Sequence, residues 1–169
     1  MKIMNRLFAF LSWMVIAVIV IYIAIAAPLI FGYKPLVVLS GSMEPAYSVG
    51  SIIYYHKCTF EALEEGDPIT FKAGDSLVTH RVTTVNGLSR TVITKGDNNN
   101  TEDPVPVNEN EILGKASNFS IPYAGYYITY GKHPLSILIM VTILLINYIL
   151  ERLAPEQETR GKRYGKKRE

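Results

Sequence analysis

Hydrophobic positions along this 169-residue chain fall into two unbroken blocks, with a series of short, alternating runs between them. The first block, Leu7 to Phe31, holds 25 consecutive residues without a formal charge. As a helix rising about 1.5 Å per residue it would extend roughly 37 Å, enough to cross a hydrocarbon core of about 30 Å with some tilt. The second block, Pro134 to Leu150, holds 17 such residues, the lower limit for a span. It is read as a second transmembrane helix, the competing reading being a helix buried in a protein core. Tyr123, Tyr126, Tyr127 and Tyr130 precede it as an interfacial belt, with Lys132 snorkelling toward headgroups.

From Val37 to Ala116 helical periodicity gives way to β-branched and aromatic runs: 51–60 (SIIYYHKCTF), 68–71 (PITF), 77–85 (LVTHRVTTV), 90–95 (RTVITK) and 111–117 (EILGKAS). Turn-forming GD, AGD, NG and GDNNN punctuate them, and Asn86-Gly87 between two such runs signals a hairpin. Only 60–66 (FEALEEG) suits a helical turn, closed by Gly66. The fold class is therefore mainly β: a compact antiparallel barrel or sandwich flanked by N- and C-terminal transmembrane helices. The expected organisation is a basic cap and span over 1–33, a β-rich domain over 34–126, an interfacial segment and second span over 127–150, and a basic tail over 151–169.

The net charge of +2 conceals a segregation of sign. Lys2 and Arg6 lead the chain without an acid, and 151–169 carries seven Lys/Arg against four Asp/Glu. The middle, 32–133, carries eight against eleven. The positive-inside rule then puts both termini in the cytoplasm and the middle outside it. Beside an apolar run, the basic tail suits a membrane surface better than a nucleic acid. Ala24–Ala27 (AIAA) has the small-x-small pattern of a signal-peptide cleavage site. The 16 residues Leu7 to Tyr22 are long for a signal peptide's apolar region, however, which favours an uncleaved anchor. Cys58 is the only cysteine, so no intramolecular disulfide forms.

The absence of CxxC, HExxH and Walker-type glycine loops, and of zinc-like His/Cys spacing, argues against a metal or cofactor. Basic residues of the middle domain are scattered and outnumbered, so nucleic acid is not expected as a partner. What remains is hydrolysis by a hydroxyl, an imidazole and a carboxylate. Alternation places Val78, His80 and Val82 on one strand face; a histidine there either serves a reaction or is a core residue capped by a carbonyl. His56 and His133 have no evident partner and are read as interfacial. Asp97 and Asp103, at either end of GDNNNTED, are either site carboxylates or solvated turn acids. Asn99-Asn100-Thr101 and Asn118-Phe119-Ser120 also match glycosylation sequons.

Taken together, SGSMEP (40–45), GDPITFK (66–72), THRV (79–82), KGDNN (95–99) and GKASNFSIPYAGY (114–126) occur in order at plausible spacing. They resemble the successive sequence boxes of type I signal peptidases. Histidine rather than lysine in the third box is similar to the endoplasmic-reticulum and archaeal branch. The resemblance implies Ser42 as nucleophile, His80 as general base, and an oxyanion hole formed by the Ser40 hydroxyl and the Ser42 backbone N–H. Gly41 between them permits close backbone approach. Both aspartates have counterparts in this branch; Asp103 is favoured as the partner of His80, with Asp97 holding the loop or sharing that role. The implied activity is removal of signal peptides after small-x-small residues, at a cell membrane or, in a eukaryote, the endoplasmic-reticulum membrane. The implied partners are secretory preproteins, the lipid bilayer and secretion-machinery or accessory subunits, with the edge of LVVLS (36–40) pairing with the client as an added strand. Two rivals are a peptidase dedicated to a few surface proteins and a non-catalytic β-domain subunit.

Overall fold

The computed structural model describes residues 2–153; the expected basic tail lies outside the described residues from 154 onward. Among the described residues two compact units are present, one formed by those up to Ala24 and from Tyr130 to Leu153, the other by Ile25–Thr129. The described residues form three α-helices, α1 (Lys2–Ala26), α2 (Ala124–Gly131) and α3 (Pro134–Leu153). In the most apolar stretch that includes α1 only 11% of residues are buried, and in that of α3 none. Phe10, Trp13, Ile23, Leu138 and Leu145 all face outward. A soluble core helix would hide such side chains, whereas hydrocarbon accepts them on every face. Both helices are consistent with anchoring in a membrane, and the second is not buried as a core helix would be.

A 3-10 turn, Ala27–Phe31, continues α1 and stops at Gly32. Gly32 has φ +81° and returns its N–H to Leu29 O at 3.0 Å, a left-handed exit that glycine adopts without strain. α3 starts with Pro134 in its first turn, where a missing N–H costs nothing. His133 Nδ1 accepts the Leu135 N–H at 3.3 Å there. The small-x-small segment at Ala24 and Ala26 is helical, with Ile25 buried and its carbonyl accepting the Tyr54 hydroxyl at 2.9 Å.

Between the helices run β1 (Tyr33–Val37), β2 (Ile52–His56), β3 (Pro68–Ala73), β4 (Ser76–Asn86), β5 (Thr91–Lys95), β6 (Val107–Asn108) and β7 (Ile112–Ile121). They pair antiparallel as one continuous sheet in the order β1-β2-β7-β3-β4-β5-β6. β1 is an edge, which tolerates Pro35. Pairing continues past its end through Val38 N–H to Ser51 O, 2.9 Å. The Asn86-Gly87 hairpin forms between β4 and β5, but the Asn86 side chain closes it, accepting the Leu88 and Ser89 N–H groups at 3.2 Å each. The 60–66 segment yields a 3-10 turn over Phe60–Ala62 only.

Burial follows the two-residue period in β4 and β5 but not in β2. Ile52, Ile53, Tyr54 and Tyr55 of β2 are all buried because both faces are covered. Ile52 and Tyr54 pack with Ile25 and Ala124, while Ile53 and Tyr55 pack with Met43, Tyr47 and Ala116. A third cluster joins Ile69, Phe71, Val82, Val92 and Val107 with Phe60 and Leu63. Tyr47 is 1% exposed and donates its hydroxyl to Ser117 O at 2.8 Å.

Burial pushes the Tyr47 phenol up to about 12, with Arg81 pulling it slightly down and Asp97 slightly up. An unfolded chain ionises this group from about pH 10, so the folded state binds the extra proton. The resulting stability is full below pH 10 and is lost as pH rises toward about 12. Denaturation of the detergent-solubilised chain should therefore show stability falling across that window. Tyr47→Phe should make the fall shallower while costing about 1–2 kcal/mol near pH 8 from the lost bond to Ser117.

Candidate active site

Ser42 stands in a 3-10 turn, Gly41–Met43, that follows β1. The next side chain, Met43, is 2% exposed and packs into the cluster of Tyr47, Ile53 and Tyr55. Burying it contributes roughly 1.5–3 kcal/mol and turns the neighbouring Ser42 hydroxyl away from the core. Glu44 N–H to Gly41 O, 3.1 Å, and Tyr47 N–H to Met43 O, 2.9 Å, tighten the turn. The Ser42 N–H lies at the N-terminal end of this turn, where amides have no intrahelical acceptor. Ser40 is exposed, its Oγ 3.4 Å from Ser42 Oγ.

His80 sits mid-strand in β4, on the inward face with Val82, as alternation predicts. It is 8% exposed, opposite Ile69 in the register with β3, and the Phe71 ring meets it edge-on at 6.4 Å. Its partner is a side chain and not the carbonyl of the core-histidine reading. His80 Nδ1 lies 2.6 Å from Asp103 Oδ2, and Nε2 lies 3.2 Å from Ser42 Oγ. A carboxylate only accepts, so Nδ1 carries the proton and Nε2 presents its lone pair to the Ser42 hydroxyl. The result is a hydrogen-bonded chain from hydroxyl to imidazole to carboxylate.

The two aspartates that the sequence left open have different partners. Asp97 is gripped by Arg81, which donates Nε to Oδ1 at 2.8 Å and one terminal nitrogen to Oδ2 at 2.6 Å. The other terminal nitrogen of Arg81 donates to Gly66 O at 2.8 Å. This fork ties the start of the 96–103 loop to the strands beneath it, and such bidentate pairing is strong and directional. Asp103 meets the imidazole, its own N–H donating to Thr94 O at 2.8 Å. Thr94, fully buried, also donates its hydroxyl to Asp103 Oδ2 at 2.6 Å.

The loop reaches Ser42 as well. Asn98 N–H donates to Ser42 O at 2.9 Å. Gly96 makes that approach possible: a Cβ there would stand 2.6 Å from Ser42 O and 2.8 Å from the Asn99 amide nitrogen. Sequence reasoning missed Gly96, Arg81 and Thr94 as parts of the site. Arg81 follows His80 and so points to the opposite face, which alternation alone could have flagged. Thr94 gives no local signal, because a threonine in a strand is ordinary.

The other histidines lie elsewhere. His56 ends β2 with its ring 5.1 Å from that of Tyr33, its Nδ1 buried without a hydrogen-bond partner. His133 caps α3. Burial raises the Cys58 thiol above its ordinary range, so it stays protonated and a poor nucleophile near neutral pH. Among the described residues no cluster of three or more His, Cys, Asp or Glu is arranged to hold a metal ion.

No family model matches the chain. It is 37% identical over 99 residues to signal peptidase I W of Bacillus subtilis, covering 56% of this chain and 52% of that relative. It is 30% identical over 129 residues to the signal peptidase complex catalytic subunit SEC11 of Fusarium vanettenii, covering 69% of this chain and 74% of the relative. Human SEC11C is 32% identical over 125 residues, with 66% and 57% covered. The match thus spans about half of the Bacillus protein and about three quarters of the fungal one. With these likenesses added to the antiparallel domain between two apolar helices, the chain belongs to the type I signal peptidase family, in its endoplasmic-reticulum/archaeal-type branch.

Proposed function

We propose that this chain is a membrane-bound serine endopeptidase that removes N-terminal signal peptides from secretory preproteins. The observation that carries the reading is the chain of hydrogen bonds from Ser42 Oγ through His80 to Asp103, in a member of a family named for that activity. An adaptor subunit would have no need of a hydroxyl aligned on an oriented imidazole.

In the proposed mechanism His80 Nε2 takes the Ser42 proton as Oγ attacks the carbonyl carbon before the scissile bond. The new oxyanion is received by the Ser42 N–H and the Ser40 hydroxyl, donors whose worth grows as negative charge develops. Asp103 holds the imidazole tautomer and balances the imidazolium. The imidazolium then protonates the departing amine, leaving an acyl-enzyme on Ser42. Water, deprotonated by the same Nε2, attacks the ester and frees the signal peptide.

Geometry also supports the choice of substrate. Eleven positions separate Phe31 from Ser42, so the nucleophile stays within roughly 36–40 Å of the end of the span. A client still lodged in the bilayer by its own apolar segment presents its cleavage site at that height. β1 is an edge of the sheet among the described residues and leads into the Ser42 turn, suited to pairing with an extended client while shallow pockets select small residues. The catalytic domain then lies outside the cytoplasm with both termini inside, as the charge segregation favours.

The purified chain in lipid, given a preprotein with an Ala-x-Ala site, should cleave it. Ser42→Ala should lower turnover by roughly 10⁵- to 10⁶-fold with folding unchanged; wild-type activity in that variant would remove Ser42 from the mechanism. Ser40→Ala should cost about 100- to 1000-fold, mostly in kcat. Asp103→Ala should lower kcat by about 10⁴-fold and Asp97→Ala by markedly less, and equal mild losses would exclude both from a triad role. Gly96→Ala should push the loop off Ser42 and cost on the order of 100-fold in kcat, as expected for misplacement near 1 Å; an unaffected rate would show that the loop yields freely.

A further inference from the structure

The Asp103 carboxylate does not face His80 alone. Its Oδ2 accepts from His80 Nδ1 and from Thr94 Oγ1, each at 2.6 Å. Thr94 is 0% exposed and lies on the inward face of β5 with Val92, across from Val82 of β4 in the strand register. Bulk solvent does not reach its hydroxyl. A buried hydroxyl must spend its proton on a partner, and the carboxylate is the acceptor within reach. The Asp103 N–H to Thr94 O bond, 2.8 Å, makes the link double: backbone to backbone, and side chain to side chain.

We propose that Thr94 is a positioning residue for the reaction, fixing the Asp103 carboxylate and tempering its pull on the His80 proton. This rests on the reading of Ser42, His80 and Asp103 as the reacting set. A carboxylate on a loop can turn about its χ angles, and only a narrow range keeps Oδ2 on Nδ1. The backbone bond fixes where Asp103 sits, whereas the Thr94 hydroxyl fixes which way its oxygen points. The O–H donor also takes up part of the charge on Oδ2. With that donor present the imidazolium is held less tightly, so His80 is free to act as a base at lower pH. Removing the hydroxyl leaves Asp103 in place through its N–H, with its charge undispersed.

Serine keeps the donor and loses a methyl group, whereas valine keeps the shape and loses the donor. In the full chain reconstituted in lipid, Thr94→Val should lower kcat by about 10- to 100-fold, the worth of a hydrogen bond to a charged group, with KM little changed. The acid limb of its kcat/KM profile should move to higher pH, by on the order of half a pH unit. Thr94→Ser should restore both most of the rate and the position of the limb. An acid limb unmoved in Thr94→Val overturns the proposal even if the rate falls, since that would be ordinary repacking; so does Thr94→Ser behaving like Thr94→Val. A readout independent of turnover comes from labelled histidine followed by NMR, comparing Ser42→Ala with Ser42→Ala/Thr94→Val. The His80 titration should move upward in the double variant, and an unchanged titration beside an inactive Ser42→Ala would sink the Thr94 proposal alone. Turnover retained by Ser42→Ala would instead sink the reading of the site.

Discussion

Two backbone hydrogen bonds pin the loop after β5, Asn98 N–H to Ser42 O and Asp103 N–H to Thr94 O, and the spacing of Ser42, His80 and Asp103 depends on both. The first ties the loop to the Ser42 turn; the second delivers the carboxylate to the imidazole. His80 needs no such help, because it sits on a strand paired on both sides. The site therefore joins one rigid element to two short turns whose positions are set against each other. Gly96 matters for the same reason: contact between two stretches of backbone leaves no room for a side chain.

Charge is arranged to keep the loop ends apart in role. Arg81 leaves the outer face of β4 and takes both oxygens of Asp97, so that carboxylate is already committed. Asp103 faces inward, where a neutral hydroxyl and an imidazole are its partners. An arginine beside Asp103 would have competed with the His80 ring for the carboxylate. Neighbouring residues on one strand, His80 and Arg81, thus sort two acids of the same loop by the side of the sheet each can reach.

The support beneath the site is a division of the core by strand face. β2 sends Ile53 and Tyr55 under the Ser42 turn and Ile52 and Tyr54 toward Ile25 and α2. One strand therefore supports the Ser42 turn on one face and packs with Ile25 and Ala124 on the other. Tyr54 adds a polar tie by donating to Ile25 O. The helical state of Ala24 to Ala26 follows from this contact and from the apolar segment that precedes it.

Much of the molecule was legible from local pattern. Twenty-five uncharged residues, a two-residue alternation at Val78, His80 and Val82, and an Asn-Gly between strands each report a short-range rule, and each element formed accordingly. The boxes around Ser42 and His80 pointed to the family. Where two segments distant in the chain meet, local pattern was silent. It gave no ground for ranking Asp97 against Asp103, both loop acids with the same neighbours in kind, and the preference for Asp103 came from the family resemblance alone. It could not single out Thr94, which looks like any strand threonine until Asp103 is set against it. By itself the sequence determined the membrane helices, the strands and the residue types available for chemistry, since those follow from side-chain polarity and backbone preference over a few residues. Tertiary structure alone decided which carboxylate meets the imidazole, which is clamped by arginine, and what holds each oxygen, because those depend on loop closure and sheet register across tens of residues.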